Sequence, residues 1–232
     1  MKTIIYTLSL FCLGFALTSC SHQVYNNKSF LAANSLEGKK LAVLPVEVYF
    51  TGNQPKNADL YAEEQSTSLS LQNEVEQAYL RHTSNHNPKK HQHKVQMVDV
   101  NTVNQRLRTR VADLRTTWGM SPDTLGQITG ADLVLKVRVT KNRYMSQGTA
   151  KAINTGATIL DVLMNSNSKN PNVTILPRVK AGDVSYEVSL IDVKTGTVVS
   201  SYTNNPEKDN NGNSIKKVNS KMAEQSAVFA AN

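Results

Sequence analysis

This chain of 232 residues has few of the groups that most often carry chemistry. Its two cysteines, Cys12 and Cys20, both fall within the first twenty residues, so residues 21–232 contain no thiol. That excludes a disulfide framework, a thiolate metal cluster and a cysteine nucleophile from the later chain, and leaves burial as the source of stability. Beyond residue 20, no stretch reaches the roughly 20 uninterrupted apolar residues of a spanning helix. There is no phosphate-cradling Walker loop, no HExxH pair and no nucleophile elbow, so the reading is non-enzymatic, with no catalytic residue and no cofactor expected. Acid is the minority charge. Eighteen Asp and Glu stand against 26 Lys and Arg, a formal net charge of +8. A basic excess attracts polyanions or, more blandly, keeps a domain soluble.

What is present begins at the amino terminus. Lys2 supplies a basic start, Ile4 to Leu17 is largely apolar, and small residues then lead into Cys20. This is the pattern of a secretory signal, to be set apart from fold reasoning. Leu17-Thr18-Ser19-Cys20 resembles the lipobox of bacterial lipoproteins. The resemblance implies cleavage after residue 19 and diacylglycerol on Cys20, which makes the bilayer this protein's first partner. Two or three acyl chains hold far better than one, because each buried methylene adds about 0.8 kcal/mol. Ser21, where well-studied inner-membrane lipoproteins have Asp, resembles an outer-membrane address facing the periplasm. There a basic surface meets lipid head groups, lipopolysaccharide phosphates or peptidoglycan carboxylates, and no nucleic acid is expected.

Residues 20–38 are polar and aperiodic and read as a flexible tether, followed by one α/β domain over 39–232. Leu41-Ala42-Val43-Leu44-Pro45-Val46 reads as a buried strand within 40–48, its later half pushed toward an edge by Pro45. Tyr49 to Asn57 reads as a loop, and 58–82 as a helix with the stripe Leu71, Val75, Ala78 and Tyr79. A strand over 95–100 precedes a second helix carrying Val103, Leu107, Val111 and Leu114, capped by Asp99 or Asn101. Ser121-Pro122-Asp123 opens a third helix with a capping hydroxyl, and Gly130 closes it. Leu133 to Thr140 alternates, predicting a strand with one wet face. Val184 to Leu190 and Thr197 to Tyr202 form a hairpin around Asp192 to Gly196, then a polar loop over 204–214 and a last helix with Val218, Met222 and Phe229. The element order implies a mixed sheet covered by helices.

Leu41-Ala42-Val43-Leu44-Pro45, then Gly126 to Asp132 ending in Gly-Ala-Asp, then Asp192 to Gly196 occur in a telling order. Together they resemble the periplasmic α/β domain shared by the TolB amino-terminal domain, the curli secretion lipoproteins and the penicillin-binding-protein activator lipoproteins (LpoB-like). The resemblance spans roughly residues 39–202. It implies a non-enzymatic docking or assembly module, with homo-oligomers plausible and an envelope protein as partner. Val46 stands where the pattern has Phe, and an insertion over 145–182 delays the closing hairpin.

Four groups of residues are candidates for contact. Ile153, Ala157, Leu160 and Met164, with Ala150, recur at helical spacing in the insertion and form a face for a partner, a membrane surface or their own domain. The curli resemblance raises a secretion pore as the alternative, although the period is wrong for a barrel strand. His82, His86, His91 and His93 cluster at metal-ligand spacing, but Lys89, Lys90 and Lys94 would repel a cation, and a solvated turn is favoured. Arg106 and Arg110, one turn apart within the run Arg106, Arg108, Arg110 and Arg115, could grip an anion. Trp118, the only tryptophan, either joins the core or anchors a contact. A cell-wall hydrolase is the least favoured reading, because its catalytic spacing is missing.

Overall fold

Period-two patterning sorts the strands onto two unlike faces of one sheet. The computed structural model describes residues 24–54, 59–85, 95–143, 182–208 and 213–226. In chain order these form β1 (Tyr25–Asn26), α1 (Lys28–Ala33), β2 (Lys40–Val43), β3 (Glu47–Gly52), α2 (Leu60–Asn85), β4 (Gln96–Val98), α3 (Val100–Arg108), a 3-10 segment (Leu114–Gly119), α4 (Pro122–Thr129), β5 (Leu133–Arg143), β6 (Gly182–Asp192), β7 (Val198–Lys208) and α5 (Asn213–Gln225). The strand order is β1-β7-β6-β5-β2-β4, with β3 also paired to β5. Pairings among β2, β3, β4 and β5 are parallel, and those among β5, β6, β7 and β1 are antiparallel. The expected α/β class, a mixed sheet with a late antiparallel hairpin, is the fold adopted.

One face buries Leu41, Val43, Leu133, Leu135, Val137, Val188 and Leu190 beneath Leu71, Val75 and Tyr79 of α2 and Val218 and Met222 of α5. Each such side chain contributes about 1.5–3 kcal/mol when fully buried. The other face is apolar only toward β2, where Ala42 and Val134 meet Val103, Leu107, Leu114 and Leu125. A two-sided core explains why Leu41 to Leu44 is continuously apolar, whereas Leu133 to Thr140 alternates beyond Leu135.

Several expectations need correction. The first strand is two. Val43 pairs with Leu135 and Glu47 with Arg138, so this side advances four residues while β5 advances three. Pro45, lacking an N–H, sits in that bulge. Tyr49 to Gly52, expected as loop, continues as β3 along β5. From Val24 onward the expected tether is folded: β1 pairs with β7, and Asn27 caps α1 by accepting from the Phe30 amide at 3.1 Å. The second helix ends at Arg108, and Leu114 and Arg115 belong to the 3-10 segment, though Val111 and Leu114 still reach the same core as Leu107. Asp99 caps α3, accepting from the amides of Asn101 and Thr102. Ser121 does not cap α4 through its hydroxyl, which lies 2.9 Å from Thr124 Oγ1 instead. Residues 204–208, expected as loop, extend β7. Phe229 lies outside the described residues.

The motifs carrying the family resemblance meet at one end of the sheet as structural joints. Asp132 Oδ2 accepts from the Lys40 amide at 2.8 Å, and the Asp132 carbonyl accepts from the Val193 amide at 3.0 Å. Asp192 Oδ2 accepts from Lys39 Nζ at 2.8 Å, while its Oδ1 takes the Thr195 amide and hydroxyl. Gly130 closes α4 in the left-handed region at φ 65°. Gly126 is required by close approach, since a Cβ there would lie 2.3 Å from Val193 Cγ1.

Candidate docking face

The half of the second face away from β2 carries polar side chains, and they fall in cross-strand rows. Lys136 pairs with Ser189, which pairs with Ser201. Glu47, Arg138, Glu187 and Thr203 form the next row, and Tyr49, Thr140 and Ser185 a third. Alternation dictates this, because Val137, Val139, Val188 and Tyr186 take the buried side. The 3-10 segment covers the β3 end of these rows through Trp118, while Arg138, Glu187 and Thr203 are exposed.

Glu47 organises the face. It is 1% exposed, yet it is a carboxylate, and burying an unpaired charge would be costly. Lys136 Nζ lies 2.8 Å from Oε1, and Arg138 Nε donates to Oε2 at 2.7 Å. The hydrogen bond and charge of Glu47 push the Arg138 guanidinium further up, so it stays cationic. Arg138 itself is 48% exposed and also faces Glu187, 49% exposed, at 3.6 Å. Lys136 additionally donates to the Trp118 carbonyl at 3.1 Å, fastening the 3-10 segment to the sheet. Trp118 stands edge-on to Tyr49, with ring centroids 5.5 Å apart. The tryptophan is buried.

The rim along β3 is closed by cation and ring contacts. Phe50 N–H donates to Glu64 Oε1 at 2.9 Å, which occupies a group that an open strand edge would offer to another chain. Arg115 Nη2 lies 2.5 Å from Glu64 Oε2, with its guanidinium over Tyr61 at 4.8 Å and over Trp118 at 5.1 Å. Arg143 bonds Glu63 at 3.1 Å and lies 4.4 Å over the Phe50 ring. The face therefore presents hydroxyls, aromatic edges and fixed, paired charges, with Lys136 and Arg138 matched by Glu47 and Glu187. Such an arrangement suits recognition of a complementary polar surface.

The anticipated sites fall elsewhere. Arg106 Nη1 donates to the Thr129 carbonyl at the end of α4, so this arginine ties two helices together. Arg110 is exposed beyond α3 and is not brought beside it in a common helix. A recess of about 310 Å³ between α2 and α3 is lined by Leu69, Asn73, Asn101, Asn104, Gln105 and Arg108, which gives it an amide character. His82 falls within α2, while its side chain and residues His86, His91 and His93 lie outside the described residues. Cys20, Ile153, Ala157, Leu160 and Met164 lie outside them as well. Among the described residues, no group of His, Cys, Asp and Glu could hold a metal, and no helix is long and apolar enough to cross a membrane. The Glu47 cluster went unnoticed in the sequence. Its signal was a lone acid between Val46 and Val48, matched by Lys136 and Arg138 on the wet side of an alternating strand.

No protein-family model and no curated protein matches this chain. Among solved structures, it is similar to the PelC dodecamer from Paraburkholderia phytofirmans at 14% identity, covering 88% of this chain and 99% of that one with a TM-score of 0.38. The LpoB C-terminal domain from Salmonella enterica is similar at 15% identity, with 78% and 90% covered and a TM-score of 0.34. A lipoprotein from Neisseria meningitidis is similar at 14% identity, with 81% and 96% covered and a TM-score of 0.37. At these values, the functional reading rests on this chain's own residues.

Proposed function

We propose that this chain is an outer-membrane lipoprotein, acylated on Cys20, whose periplasm-facing α/β domain is a non-enzymatic docking or assembly module for an envelope protein. The carrying observation is the polar half of the sheet, where buried Glu47 holds Lys136 and the exposed Arg138 at fixed positions among half-buried and exposed hydroxyls. Preordered charges of this kind lower the ordering cost of recognition. The lipobox-like Leu17 to Cys20 supports the anchor and the compartment.

Photo-crosslinking in intact cells tests the reading, with the reactive side chain placed at Glu187 on the face or at Lys194 in the hairpin turn. A discrete adduct from Glu187 and none from Lys194 is expected, and it should vanish in Cys20→Ala, which should also leave the membrane fraction. Acylated protein that yields no adduct from Glu187 would remove the docking face.

A further inference from the structure

The path of the chain into the sheet bears on how the domain stands at a membrane. Val24 packs against the first core, and Tyr25 and Asn26 pair antiparallel with Ser201 and Ser200. The Asn27 amide donates to the Val199 carbonyl at 2.8 Å, and Asn26 Nδ2 donates to the Gln225 carbonyl at 2.9 Å. Phe30 and Leu31 of α1 then pack on the core, with Lys39 Nζ 5.7 Å from the Phe30 ring centre. The backbone is thus secured from Val24 onward. Only four Cα steps separate Val24 from Cys20, and they reach at most about 14 Å.

Register shows which end of the sheet the chain enters from at Val24. Stepping back from Tyr25, opposite Ser201, brings Val24 to the Tyr202 side, and β7 runs on from there to Lys208. At that same end β3 stops at Gly52, β5 stops at Arg143 and β6 starts at Gly182, as their register shows. The Asp132 and Asp192 joints occupy the opposite end, where Leu133 pairs with Asp192. Tyr25 is 56% exposed, the most exposed large apolar side chain among the described residues. Tyrosine suits the headgroup layer, with an apolar ring and a polar tip.

We infer that the anchored domain stands with the Lys208 end of the ladder toward lipid head groups and its Asp192–Gly196 turn pointing away. This rests on acylation of Cys20 and deepens the function proposed above. A long flexible tether would leave the domain free to tumble, whereas a connection of this length forces one side toward the bilayer.

The absence of thiols after Cys20 makes single-site labelling clean. A donor dye is attached through Thr203→Cys or Lys194→Cys in the full acylated protein, in phosphatidylethanolamine and phosphatidylglycerol vesicles carrying an acceptor lipid. Val198 to Thr203 spans about 17 Å along the strand, so transfer from position 203 should exceed that from 194 by about twofold. Inserting a Gly-Ser segment of about 20 residues after Ser21 should erase the difference. Equal transfer from both positions in protein whose mass shows the acyl chains overturns the orientation alone. No transfer from either, with mass spectrometry showing an unmodified cysteine, overturns the anchor and the orientation together.

Discussion

Asp192 satisfies three donors with two oxygens: Lys39 Nζ at 2.8 Å, the Thr195 amide at 3.0 Å and the Thr195 hydroxyl at 2.9 Å. Burial pushes its carboxyl up, but the bonds from Lys39 and Thr195 outweigh that and hold it below the ordinary range. A carboxyl whose pKa is depressed by folding stabilises fully above its unfolded pKa, and this is lost as pH falls through the folded value. Asp192→Asn should therefore cost about 1–3 kcal/mol at neutral pH, read from urea midpoints. The variant should also lose less stability than the parent between neutral and acid pH, and equal losses would refute the role. This residue was legible as part of a turn because Asp, Thr and Gly each have a local reason to be there. Glu47 was not, because Lys136 and Arg138 come from a strand distant in sequence.

At the scale of elements, length decides what a sequence reveals. The stripe Leu71, Val75 and Tyr79 marks α2, and the alternation from Leu135 to Thr140 marks β5, so both are legible as elements. β1 has two residues and α1 six, too few for any period to emerge, so the segment looked like a tether. Asn27 was the signal that could have exposed it, an amide followed three residues later by the start of an apolar pair, Phe30-Leu31. Asn27→Ala should cost about 1 kcal/mol. Hydrogen exchange should show faster exchange at the Phe30 amide, while the amides joining β5 and β6 stay protected. Unchanged exchange at Phe30 would mean that the cap does not hold α1.

For the molecule as a whole, two ends of one sheet differ in kind. The end holding Asp132, Asp192 and Gly126 is crowded with bonds and close contacts, which accounts for the compact motifs that made the fold readable. Toward the other end the strands run on, and Arg143 pairs directly with Gly182. Whatever sequence lies between those two residues begins and finishes at the two sides of one rung of the ladder. Replacing residues 144–181 by an Asn-Gly turn should leave the fold intact and raise its stability by up to about 2 kcal/mol, because joining paired strand ends through two residues costs less closure entropy than joining them through a longer chain. Circular dichroism and urea melts of that shortened chain would check this, and a failure to fold would show that the excised residues complete the core. The Arg143–Gly182 rung is accordingly the place where this architecture can accept cargo of variable length, leaving the scaffold free to keep its shape while the graft acquires new tasks.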